Sequence, residues 1–204
     1  MFKPAIKSIS KFVSYLTVIF FLNSGLSIAN EDTKPTVLMK TTLGEVEIEL
    51  FSKRAPKSVK NFLDYVQSGY YTNTLFHRVI PNFMVQGGGF DETFNKKTTN
   101  TPIVNESSEY TPNLRGTISM ARTNNPNSAT SQFFINVVNN ASLNKNATSP
   151  GYAVFGQVTK GIEIADQMSR VTTKQHNGMR NVPVSPIVIQ SISLKKNDAT
   201  PAKK

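Results

Sequence analysis

Apolar residues in this chain come in short runs separated by polar turn signals roughly every 8–12 residues, a spacing that leaves room for many strands and few helices. The clearest case flanks a turn at Thr42-Leu43-Gly44. Pro35–Thr41 forms one arm; in the other, Val46, Ile48 and Leu50 alternate with Glu45, Glu47 and Glu49. Period-2 alternation of this kind is a strand with one buried and one wet face, so the segment reads as a β-hairpin. Further short strands are expected near Leu75–Val79, Phe83–Gln86, Gly116–Met120, Gln132–Asn136, Ala153–Val158 and Val188–Leu194, with polar loops at Asp91–Arg115 and Asn139–Gly151. Such a pattern folds as a sandwich or a barrel, and closure into a barrel removes the exposed strand edges.

Two segments break the strand rhythm. Ala55-Pro56 opens a helix, because proline at a first-turn position gives up an N–H that has no partner there. Val59, Phe62, Leu63 and Val66 follow at i, i+3, i+4 and i+7 as one apolar stripe, and Gly69 is placed to end the helix as a left-handed cap. A shorter helix is expected from about Gly161 to Ser169, burying Ile162, Ala165 and Met168. Two helices are free to cover the open ends of a barrel.

The first 29 residues read as a signal peptide. Lys3, Lys7 and Lys11 precede an apolar run from Phe12 to Leu22, and Ser27-Ile28-Ala29 puts small residues where a signal peptidase reads. That run is too short to cross a bilayer alone, which takes about 20 residues. Export to a periplasm is expected, with secretion or an uncleaved anchor as the alternative, and no stable membrane insertion after cleavage. Residues 30–194 then form one domain, and the lysine-rich stretch 195–204 a disordered basic tail. Removing the signal lowers the formal charge from +10 to +7. The remaining cations are scattered with no basic–aromatic stripe, so they read as a solvated surface and no nucleic-acid partner is expected. The chain has no cysteine, which excludes disulfides, thiolate chemistry and a cysteine-ligated zinc site.

Competing catalytic patterns are missing from the sequence. The two histidines, His77 and His176, lack helical i, i+4 partners, so no metal is expected. Gly87-Gly88-Gly89 has neither dinucleotide-binding nor Walker spacing, and no nucleophile elbow occurs. What stands out is Phe76-His77-Arg78 followed by Phe83-Met84-Val85-Gln86-Gly87-Gly88: one cation and one amide among apolar and aromatic side chains. Without a nucleophile or paired carboxylates, this set is suited to binding an apolar group and aiming a hydrogen-bond donor at it.

The run resembles the signature of cyclophilin-type peptidyl-prolyl isomerases. The likeness continues through Met120-Ala121-Arg122, through Ser131-Gln132-Phe133-Phe134-Ile135, and through Val154-Phe155-Gly156-Gln157-Val158, and so covers roughly residues 36–194. The spelling Ser128-Ala129-Thr130-Ser131-Gln132-Phe133-Phe134 is most similar to the bacterial periplasmic branch. The resemblance implies a mainly β fold, a closed antiparallel eight-stranded β-barrel capped by two α-helices. It implies a monomeric isomerase that rotates X–Pro bonds in unfolded or flexible polypeptides, without cofactor, and assists the folding of exported proteins. The alternative is a non-catalytic proline-segment binding module or holding chaperone; Arg78 favours the enzyme, where Ala or Glu at that position would favour the binder.

Carried onto this chain, the resemblance makes Arg78 the catalytic donor. Phe83, Met84, Phe134 and Leu143 become an apolar wall for the proline ring. Gln86 and the backbone at Ala121 and Arg122 hold the substrate main chain, and Gln132, Tyr152 and His77 complete the binding set. His77 is expected to support the site through a hydrogen bond instead of acting as acid or base. Three positions depart from common eukaryotic members: Ser142 stands where a Trp precedes the wall leucine, Tyr152 where a His lines the pocket, and Arg122 where an Asn is frequent. Loss of the indole predicts weak cyclosporin sensitivity.

Overall fold

The computed structural model describes Met1 and residues 34–195. The expected signal segment and the expected tail beyond Lys195 lie outside the described residues. The first two strands, β1 (Thr36–Thr41) and β2 (Gly44–Leu50), form the foreseen hairpin. After α1 (Pro56–Gln67) come β3 (Thr74–Ile80), β4 (Met84–Asp91), β5 (Thr117–Met120), β6 (Phe133–Asn136) and β7 (Val154–Lys160). Then follow α2 (Ile162–Ser169), β8 (Thr173–His176), β9 (Met179–Pro183) and β10 (Val188–Leu194). Eight strands close into an antiparallel barrel in the order β1-β10-β3-β4-β6-β5-β7-β2.

The inside of the barrel is filled. Met39, Ile48, Val79, Val85, Ile118, Ile135, Phe155 and Ile189 come from eight different strands and are all fully buried. Along β2 the alternation runs as the sequence predicts. Val46, Ile48 and Leu50 point in, while Glu45, Glu47 and Glu49 meet Lys40, Lys160, Lys195 and Lys34 outside. Exposed pairs of this kind contribute at most about 1 kcal/mol each. One of them nevertheless joins Lys195 to Glu47 at 2.7 Å, and the Lys195 N–H donates to the Thr36 carbonyl at 2.8 Å, so this residue is fastened to the barrel.

The helices cover opposite ends. Helix α1 leaves from the Leu50 end of β2. Gly161, just before α2, lies against the Glu45 carbonyl at the other end. The α1 stripe buries Val59, Phe62 and Val66, and Phe62 meets the rings of Tyr71, Phe133 and Phe155 at 5.2–5.7 Å. Gly69, at φ 67°, ends the helix: its N–H donates to Val66 and that of Tyr70 to Tyr65, the paired bonds of a Schellman cap. The other end has no local side-chain cap, since Ala55 precedes Pro56. Glu106 supplies it from the β4–β5 loop, accepting from the N–H of Lys57 and from both N–H and hydroxyl of Ser58 at 2.7–3.0 Å. The carboxylate suits the positive end of the helix and ties down the long loop.

One element is absent from the sequence reading. Strands β8 and β9 form a separate two-stranded hairpin beside β3, outside the barrel. Its turn residues, Asn177 and Gly178, have φ of 47° and 78°, the left-handed pair that a tight hairpin turn requires.

Candidate functional site

In a regular strand Phe76 and Arg78 point to the same side. Here Phe76 is buried, its ring 6.0 Å from Phe133, while Arg78 opens to a cleft on the barrel's outer surface. A bulge reconciles them. Phe76 pairs with Gly87 and Arg78 with Gln86, leaving His77 as an extra residue with no partner of its own. The extra residue reverses the alternation, so Arg78 turns outward and Val79 turns back into the core.

Register then builds the site. Arg78 lies opposite Gln86, and Gln86 opposite Phe134 on β6, so cation, amide and aromatic ring stand in one row across three strands. An Arg78 Nη donates to Gln86 Oε1 at 3.1 Å, and Gln86 Nε2 donates to Gln132 Oε1 at 2.9 Å. This chain fixes which face of Gln86 meets the guanidinium. Burial pulls the Arg78 pKa down, opposed by Tyr152 and reinforced by Arg180, but an arginine stays charged through such shifts. Among the described residues it has no carboxylate partner, so its remaining donors face the cleft.

The glycines of β4 let the row form. A Cβ on Gly88 would lie within 2.9 Å of both Tyr71 and Phe133, and a Cβ on Gly89 within 2.6 Å of the Gln132 side chain. The triplet makes room for aromatic packing and for Gln132, and Gly88 also sits at φ 81°.

The other wall comes from loops. Leu143 ends a single 3-10 turn, Ala141–Leu143, and Tyr152 precedes β7. Both are held from behind by buried asparagines. Asn113 Nδ2 donates to the carbonyls of Leu143 and Tyr152, and its Oδ1 accepts from Ser119 Oγ and Asn136 Nδ2. Asn140 Nδ2 donates to Asn136 Oδ1 and to the carbonyl of Phe83. One buried network thus reaches the backbone of three wall residues.

The Arg122 side chain braces the rim of the cleft. Its guanidinium lies 4.3 Å from the centre of the Tyr152 ring and donates twice to the Gly151 carbonyl, while Tyr152 stands edge-on to Phe134 at 5.6 Å. The stack Arg122–Tyr152–Phe134 fixes the tyrosine at the rim.

These groups enclose a cleft of about 190 Å³. Arg78, Gln86, Ala121 and Arg122 line it with Phe83, Met84, Phe134, Leu143 and Tyr152. Met84 and Phe134 are almost fully buried and form the floor; Ser142, next to Leu143 in sequence, is exposed. Two expected residues stand elsewhere. Gln132 reaches the site only through Gln86, and it joins His77 in lining a neighbouring depression that shares Arg78. His77 packs on Phe90 with ring centres 4.6 Å apart, and its Nδ1 is buried without a hydrogen bond. Burial pushes its pKa down to about 4, only partly offset by contact with the Leu75 backbone, so the imidazole is neutral at neutral pH. The asparagine network was not read from the sequence; its members sit in segments that look like ordinary polar loops.

The closed barrel and the sequence that builds this cleft have known relatives. The family model for cyclophilin type peptidyl-prolyl cis-trans isomerase/CLD matches residues 36–194, and the chain belongs to that family. It is 55% identical over 164 residues to peptidyl-prolyl cis-trans isomerase A of Dickeya dadantii, covering 80% of this chain and 86% of that one. To peptidyl-prolyl cis-trans isomerase B of Escherichia coli it is 44% identical, covering 78% and 99%. The crystal structure of a Cryptosporidium parvum cyclophilin type isomerase, in the presence of the dipeptide Ala-Pro, superposes with a TM-score of 0.69 at 32% identity, over 79% of this chain and 99% of that one. The protein is a peptidyl-prolyl cis-trans isomerase with the eight-stranded barrel and two helices of its family.

Proposed function

We propose that Arg78 is the catalytic donor of this isomerase and that its clients are exported polypeptides, met as flexible X–Pro segments in the periplasm. The observation that carries the catalytic part is the Arg78–Gln86–Gln132 chain beside the buried apolar floor of Met84 and Phe134.

Rotation about an X–Pro bond meets a barrier of ~18–20 kcal/mol because amide resonance is lost as the bond twists. The proline nitrogen then becomes pyramidal and its lone pair accepts a hydrogen bond. Arg78 presents a rigid fork of donors held on one side by Gln86, so a donor remains for the substrate amide as it twists. An interaction that strengthens only in the twisted state lowers the barrier instead of merely tightening binding. Phe134, Met84, Phe83 and Leu143 take the ring and keep water from competing for the guanidinium. Gln86 and the Ala121–Arg122 backbone hold the substrate main chain.

A protease-coupled isomerisation assay on an X–Pro peptide tests the catalytic part. Equal rates for wild type and Arg78→Ala would sink the role given to Arg78. The export part rests on the basic, then apolar, then small-residue order of residues 1–29. Cell fractionation with N-terminal sequencing tests it; an intact N-terminus in the cytoplasmic fraction would overturn it.

A further inference from the structure

The depression next to the cleft is lined by His77, Arg78, Phe90, Gln132, Met179 and Arg180, with Asn181 at its edge, and has a volume of about 370 Å³. Two of these side chains are cations and none is an acid. Arg180 is exposed on β9, and among the described residues its guanidinium has neither an ion pair nor a hydrogen bond. It nevertheless stands near enough to Arg78 to disfavour that residue's charge. The nearest carboxylate in sequence, Asp91 after Phe90, is spent on its own turn, accepting from Thr93 and Asn95. His77 is neutral at neutral pH and compensates nothing. Two like charges thus line one hollow that has no acidic side chain in its lining, and the hairpin β8–β9 brings the second of them there.

We propose that this depression is a second substrate subsite that takes the carboxylate of an acidic side chain a few residues from the isomerised proline. Because Arg78 lines both hollows, an extended substrate crossing the cleft reaches the second one within about three residues at 3.3–3.6 Å each. An arginine fork matches a carboxylate, and the apolar faces of Phe90 and Met179 lower the local dielectric around the pair. The subsite rests on the isomerase reading of the neighbouring cleft but adds a preference that the cleft itself does not carry.

The test compares amidated X–Pro peptides with Glu or Gln at each of the three positions on either side of proline, at low salt. At one position the Glu peptide should exceed its Gln twin in kcat/KM by roughly three- to tenfold, and the ratio should shrink as salt screens the pair. Arg180→Gln should bring the ratio near one and Arg180→Glu should invert it, whereas Lys174→Gln, on the same hairpin outside the depression, should leave it intact. Calorimetric binding of the same peptide pair reads the subsite without turnover, so a failure of catalysis and a failure of the subsite are distinguishable. Equal values for Glu and Gln at every position, or a preference that survives Arg180→Gln, overturns the proposal. So does a gain seen only with a free terminal carboxylate, which would assign the hollow to a chain end.

Discussion

Arg78, Gln86 and Met84 reach the cleft from strands whose pairing fixes where each side chain points, whereas Leu143 and Tyr152 reach it from loops fixed by buried side-chain amides. The first wall is positioned by backbone geometry and one bulge. The second depends on a few hydrogen bonds that any loop of other composition would lack. Damage to the strand wall should therefore remove chemistry, and damage to the loop wall should loosen binding.

The sharpest break is Arg78→Ala, which takes away the donor and leaves the strand intact. Loss of a comparable preorganised donor costs ~100- to 1000-fold in rate, so kcat/KM should fall by about that much while the fold, followed by circular dichroism, persists. Should Arg78→Lys restore most of the rate, a point charge would suffice and the fork geometry would not matter.

The bulge gives the strand wall a pH signature. His77 has a pKa of about 4 in the folded protein against an ordinary 6.5, so the unfolded chain takes up its proton first as the pH falls. The stability it contributes is complete above about pH 6.5 and is lost on the way down through pH 4, on the order of 3 kcal/mol in all. Urea unfolding across that window should show the slope, and His77→Gln should flatten it. The Asp166 carboxyl, held below its usual range by Arg115, adds its own loss only at more acid pH.

On the loop wall, Asn113→Ala deletes the donor to Leu143 and Tyr152 and strands Ser119 and Asn136. A fully buried amide of this kind should cost about 2–3 kcal/mol of stability, with KM rising more than kcat falls. An equal fall in kcat at unchanged KM would erase the distinction between the walls. The smallest effect belongs to Arg122→Ala. Freeing Tyr152 from its stacked cation costs about 0.5–1 kcal/mol, a few-fold rise in KM, and Arg122→Lys should not recover it because the two hydrogen bonds to the Gly151 carbonyl need the planar fork.

The same division explains what could be read in advance. The barrel was legible because β2 alternates cleanly and because α1 shows its stripe, its leading proline and its closing glycine. Seven of the nine residues lining the cleft fall in the motifs around Phe76–Gly88, Met120–Arg122 and Ser131–Ile135, since a register-built wall leaves a compact trace in sequence; Leu143 and Tyr152, on loops, came only with the family resemblance. The asparagines behind Leu143 left none, for Asn113 and Asn140 look like loop residues until the chain folds over them. Strands β8 and β9 were passed over because Thr173–His176 carries no apolar alternation, although Asn177-Gly178 is a hairpin turn signal. The bulge had a clue in hindsight: Phe76 and Val79 both belong inside, and three steps along a regular strand cannot achieve that.

Because the barrel is filled with side chains, the cleft lies on its outside. A client therefore never has to be threaded, and no free end is needed. A proline deep within a long chain is as reachable as one near a terminus, provided the stretch around it can adopt an extended path across the cleft. Access to the cleft is set by the local conformation around a proline and not by the length of the chain that carries it.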